Sequence, residues 1–89
     1  MKQKPNLQLR KIGKRYIIVD NDSAVNLTGV YTLNEVSARI WEAIGETADA
    51  TPEKLATLLC NEYEVDHSTA LADVTRQIEE WQRYGLLEQ

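Results

Sequence analysis

The sequence predicts an α+β fold in which a three-stranded antiparallel sheet from the N-terminal third is followed by a three-helix bundle, in the order βββααα. Three observations carry this reading. Residues 7–12 alternate as a strand does and Tyr16-Ile17-Ile18-Val19 is a β-branched and aromatic run, whereas apolar residues recur at helical spacing from Asn34 onward. Turn-forming residues, Gly13-Lys14 and Asp20-Asn21-Asp22-Ser23, punctuate the first third. Each of the three helical stretches opens on a good capping residue, Asn34, Thr51 or Asp66. With 89 residues and 43% hydrophobic content, the chain is expected to form one domain over 1–89 around a single core, with residues 1–6 flexible.

The elements follow in order. Leu7 and Leu9, with Lys11, alternate with Gln8, Arg10 and Ile12, as a half-solvated strand requires. Gly13-Lys14 forms the tip of a hairpin, and Tyr16-Ile17-Ile18-Val19 is its β-branched and aromatic second strand. A third extended region lies between Ala24 and Leu33, bent at Gly29. Asn34 then caps a helix whose apolar face is Val36, Ile40, Trp41 and Ile44, and Gly45 is expected to end it. Thr51-Pro52 opens the second helix, with Thr as cap and Pro at the first position, and its face is Leu55, Leu58, Leu59 and Tyr63. Asp66 caps the third helix, which runs to about Tyr84 and stops at Gly85. Its stripe is expected to be Leu71, Val74, Ile78 and Trp81, and Leu86-Leu87 folds back onto the core.

Composition excludes several classes of function. No apolar run approaches the length of a membrane span, and the basic start leads into no apolar signal region, so a cytoplasmic location is expected. One cysteine excludes an internal disulfide, and one cysteine with one histidine cannot fill a four-ligand zinc site. Cys60 reads as a small semi-buried hydrophobe and His67 as a solvent-facing first-turn residue. Four scattered glycines build no phosphate-cradling loop, and Glu79 and Glu80 diverge around a helix rather than pair. Catalysis by this chain alone is therefore not expected, nor is a metal or cofactor. The net charge of −4 hides a split: residues 1–19 carry six bases and no acid, whereas residues 20–89 carry a net −10.

The stretch Gly29-Val30-Tyr31-Thr32-Leu33-Asn34-Glu35, followed by Ala38-Arg39-Ile40-Trp41, resembles the signature of the PqqD-like family. The resemblance continues through Thr51-Pro52-Glu53-Lys54-Leu55 and Leu59, then Glu62-Tyr63-Glu64-Val65-Asp66, Ala72-Asp73-Val74 and Tyr84-Gly85-Leu86-Leu87. It spans about Leu7 to Leu87, and the order and spacing of the pieces carry it rather than any one of them. The family implies a winged-helix-like arrangement of the same elements. It also implies a non-catalytic peptide chaperone, a recognition element for ribosomally made precursor peptides. The leader segment of the precursor would add as a strand to the edge of the third strand and settle in a groove against the third helix. The chaperone then presents it to a modifying enzyme such as a radical S-adenosylmethionine (SAM) protein.

Carried onto this sequence, the resemblance draws the edge strand from Val25, Asn26, Leu27, Val30, Tyr31 and Thr32, and the helical wall from Ala70, Asp73, Val74, Gln77 and Trp81. Val74 and Trp81 also lie on the apolar stripe, which gives each a core role as its alternative. Ala70 and Asp73 lie off that stripe and are the stronger groove candidates. The expected assembly is a monomer or weak homodimer. A winged helix invites a DNA-binding alternative, but the third helix carries Asp66, Asp73, Glu79 and Glu80 against Arg76 and Arg83, and the pI is about 4.9. Neither nucleic acid nor membrane is an expected partner. A docking module that binds a protein partner without any peptide is the other alternative.

Overall fold

A computed structural model describes residues 2–5, 7–20, 31–47 and 49–88 of the chain. Its elements are β1 (Lys2–Gln3), β2 (Leu7–Ile12), β3 (Arg15–Asp20), β4 (Tyr31–Leu33), α1 (Glu35–Glu46), α2 (Pro52–Glu62), α3 (His67–Arg83) and β5 (Leu87–Glu88). The α+β class and the order of a sheet followed by three helices agree with the sequence reading.

Alternation builds the main sheet, whose antiparallel strand order is β2-β3-β4. Gly13, at φ 63°, supplies the left-handed residue that reverses the chain between β2 and β3. The hairpin register pairs Leu9 with Ile18 and Lys11 with Tyr16, so Leu7, Leu9, Tyr16 and Ile18 share the face turned to the helices. Ile18 is fully buried, whereas Ile12, on the opposite face, is 61% exposed. Of the third predicted strand, Tyr31–Leu33 forms β4 on β3, while the positions from Ala24 to Val30 lie outside the described residues.

The caps act as their side chains dictate. Asn34, Thr51 and Asp66 each accept a hydrogen bond from the backbone N–H three residues on, starting α1, α2 and α3. Gly45 does not end α1: the helix continues through Glu46 to an extended Thr47. Gly85 (φ 76°) does follow the end of α3, and the N–H groups of Gly85 and Leu86 return to the carbonyls of Gln82 and Trp81.

The stripe on α3 is corrected by one residue. Ala70, Val74, Ile78 and Trp81 are buried, while Leu71 is only half-buried. At 100° per residue, Ala70 lies about 40° from Val74 and Leu71 about 60° away on the other side, so the smaller residue sits nearer the middle of the buried arc. The core joins Ile18 and Leu33 of the sheet to Ile40, Trp41 and Ile44 of α1, Leu55, Ala56 and Leu59 of α2, and the α3 stripe. Trp41 and Trp81 meet edge to face at its centre, with ring centroids 5.2 Å apart.

The sequence reading lacked the second sheet. Lys2 and Gln3, expected to belong to a flexible lead-in, pair antiparallel with Glu88 and Leu87. The Lys4 N–H donates to the Leu86 carbonyl, and Gln3 Nε2 donates to the Trp41 carbonyl at 2.6 Å. The first and last described strands therefore clasp each other over α1. No helix among the described residues is long and apolar enough to cross a membrane.

Candidate functional site

The site starts from the junction of β4 and α1. Asn34 follows Leu33 directly, in an extended conformation, and its Oδ1 accepts from the Ser37 N–H at 2.8 Å. The chain thus passes from strand to helix without a loop, which sets the first turn of α1 beside the end of β4. Ser37 is 8% exposed and its hydroxyl donates to Gln77 Oε1 at 2.7 Å, tying α1 to α3 across 40 residues of sequence. The Gln77 amide nitrogen donates in turn to Glu80 Oε2 at 3.3 Å. One turn earlier, Asp73 pairs with Arg76 at 2.9 Å. Both side chains are well exposed, so this pair orients the wall more than it stabilises the fold.

Asn34, Val36, Ser37 and Ile40 of one wall and Asp73, Arg76 and Gln77 of the other enclose an open cleft of about 270 Å³. Ile40 is 2% exposed and supplies an apolar floor; Val36 is 37% exposed and stands at the mouth. Amide, carboxylate and guanidinium groups ring these two aliphatic side chains. Such a lining accepts a side chain with an apolar body and a polar end, or a backbone segment whose N–H and C=O need partners. Beside the cleft, β4 pairs with β3 through Tyr16↔Leu33, Ile17↔Thr32 and Ile18↔Tyr31. Its other edge has no strand partner among the described residues.

The residues named from the sequence divide into three groups. Thr32 is exposed on the β4 edge, and Asp73 and Gln77 line the cleft. The backbone of Tyr31 belongs to that edge. Ala70, Val74 and Trp81 are 1%, 0% and 0% exposed and belong to the core, so the expectation that Ala70 faces a groove is corrected. Val25, Asn26, Leu27 and Val30 lie outside the described residues. Sequence reasoning missed Asn34, Val36, Ser37, Ile40 and Arg76 as cleft residues. Val36 carried the one available signal: an aliphatic side chain in the first helical turn, where the core no longer reaches it.

Other groups are accounted for differently. Asp66 accepts from the hydroxyls of Ser68 and Thr69 and from the Thr69 N–H, which lowers its pKa to about 2. A second hollow, of about 290 Å³, lies between α1 and α2 over Ala43, Ala50, Leu55 and Leu58. Arg39 at its rim is held by Glu62 at 2.9 Å and Glu46 at 3.3 Å, and the hydrogen bond to Glu62 raises its pKa. Cys60 is half-buried against the core, and His67 is exposed with Nε2 3.5 Å from the Thr57 hydroxyl. Among the described residues no three of His, Cys, Asp and Glu converge on a point where a metal could bind.

Comparison with known proteins places this geometry. The family profile of coenzyme PQQ synthesis protein D (PqqD) matches residues 15–87. One solved structure with the same fold is TbiB1 in complex with the TbiA(β) leader peptide. It is 26% identical, with a TM-score of 0.77, and the alignment covers 99% of this chain and 95% of that one. Another is a lasso peptide synthetase B1 complexed with the leader peptide, 19% identical, with a TM-score of 0.78 and coverage of 99% and 96%. No curated protein matches the chain in sequence.

Proposed function

The chain belongs to the PqqD family, and we propose that it is a non-catalytic chaperone that binds the leader segment of a ribosomally synthesised precursor peptide and presents it to a modifying enzyme. The observation that carries this reading is the edge of β4, without a second strand partner among the described residues, running directly into a cleft whose walls are the first turn of α1 and the middle of α3. An extended peptide added to β4 satisfies its own backbone on that edge while alternate side chains turn toward the cleft. Support also comes from TbiB1, which shares the fold over nearly its whole length and was solved with a leader peptide. The chemistry is left to the enzyme, for which a radical SAM protein is one candidate class.

The test is a titration of the isotope-labelled protein with candidate leader peptides, followed through backbone amide shifts. Binding at micromolar affinity or tighter is expected, with the Val25–Thr32 region and the face around Asp73 and Gln77 shifting together. Shifts confined to the hairpin of Lys11, Lys14 and Arg15 would overturn the edge-strand model. A flat titration with every leader would favour a docking module without a peptide ligand. A mobility shift of duplex DNA at low salt would favour the nucleic-acid alternative, which the acidic residues of α3 oppose.

A further inference from the structure

The main sheet has two edges, and the leader takes only one. On the other side β2 is six residues long and pairs with β3 alone among the described residues. Long open edges invite strand addition unless something restricts who may pair there. Here the restriction is charge. Arg10 and Lys11 stand on β2, Lys14 lies at the turn and Arg15 opens β3 opposite Ile12, all four are exposed, and none forms an ion pair among the described residues. Lys11 instead rests over the Tyr16 ring at 5.7 Å, and Arg10 contacts Gln8 at 3.4 Å. Ile12, 61% exposed, lies among these bases as an apolar anchor.

We propose that the β2 edge is a second strand-addition site, for an acidic extended segment of the modifying enzyme. This rests on the chaperone reading for the identity of the partner, while the site itself rests on β2. A second copy of the chain is a poor occupant, because edge-to-edge pairing would bring two sets of four bases within a few strand spacings. Nucleic acid is a poor occupant because the rest of the chain, residues 20–89, carries a net −10. An acidic strand satisfies both the backbone edge and the four bases. With strands about 4.8 Å apart, leader and enzyme segment would flank β2-β3-β4 about 19 Å from each other, so one sheet would fix their relative register.

The experiment uses the full labelled chain and a short synthetic peptide alternating glutamate with valine as the probe. A lysine–valine peptide and duplex DNA serve as comparators. Saturable shifts are expected along Leu7–Ile12, with slowed amide exchange at alternate β2 residues, from the acidic peptide only. The double variant R10E/K11E should weaken that binding at least tenfold and reverse the preference toward the lysine peptide. The idea is overturned by an absence of saturable shifts on β2, by shifts at Lys14 and Arg15 without exchange protection, or by DNA moving the same amides more strongly. Leader titration of R10E/K11E reads the β4 edge separately and is expected to be unchanged, so failure of one site is distinguishable from failure of the other.

Discussion

Gly45 offers a test of the terminal clasp in which two effects of similar size oppose each other. It is the next-to-last residue of α1, where glycine is less favourable than alanine by up to about 1 kcal/mol, so Gly45→Ala alone should stabilise the helix. A Cβ built there, however, would lie 3.0 Å from Gln3 Oε1 and 3.2 Å from Gln3 Nε2. Those atoms end a flexible side chain, so Gln3 moves, and its bond to the Trp41 carbonyl is lost or lengthened from 2.6 Å. A net hydrogen bond of that kind contributes about 1 kcal/mol. Gly45→Ala is therefore expected to leave stability within about 0.5 kcal/mol of the parent, because the two terms cancel. In a Gln3→Ala background the helical gain should appear undiminished, at up to about 1 kcal/mol. Urea unfolding of the four proteins, followed by tryptophan fluorescence and far-ultraviolet dichroism, gives the coupling directly. An equal gain from Gly45→Ala in both backgrounds would refute the reasoning, because the added Cβ would then leave the Gln3 bond undisturbed.

Four further outcomes are expected. Asn34→Ala removes the cap of α1 and should cost about 1 kcal/mol in the same unfolding assay. Val74→Ala, at a fully buried position, should cost about 2 kcal/mol yet leave leader affinity unchanged in a calorimetric titration, which separates core from groove. Val36→Asp alters the mouth of the cleft at a surface position in the first turn, where an acid suits the helix dipole. Stability should hold while leader affinity falls about tenfold, or ~1.4 kcal/mol. Asp66 has a folded-state pKa of about 2 against 3.8 for the free group. A depressed carboxylate stabilises above its unfolded pKa, and that contribution is lost as pH falls through the folded one. The stability gap between the parent and Asp66→Asn should therefore stay level above roughly pH 5 and close between about 4 and 2 in a pH series of urea melts.

The helices were legible because their signals are local. A cap, a first-turn proline and a terminating glycine act within a few residues, and Asn34, Thr51-Pro52 and Gly85 behave as their chemistry requires. What escaped was non-local. Nothing in Lys2-Gln3 announces a strand, because its partner is Leu87-Glu88 at the far end of the chain. Gly45 looked like a helix end because glycine commonly is one, whereas here its missing side chain makes room for Gln3. On α3, spacing alone could not decide whether Ala70 or Leu71 faces inward, since each lies within about 60° of the stripe. The cleft was half legible: Asp73 and Gln77 were named, but Ser37 joins them only through a hydrogen bond between helices 40 residues apart.

On the proposed reading, the length of the described edge bears on where selectivity resides. In an antiparallel ladder alternate residues turn both N–H and C=O outward, so the three residues of β4 present two or four outward groups. At about 1 kcal/mol net for each bond, the described edge contributes at most about 4 kcal/mol, the equivalent of a millimolar complex. Micromolar binding requires about 8 kcal/mol after the cost of association has been met. Backbone pairing over the described residues of β4 does not close that gap, and it reads no sequence. A large apolar side chain buried over Ile40 and Val36 would add about 1.5–3 kcal/mol, and a polar end reaching Asp73, Arg76 or Asn34 would add to that. On the proposed reading, the edge orients an extended peptide and the cleft between α1 and α3 decides which peptide stays.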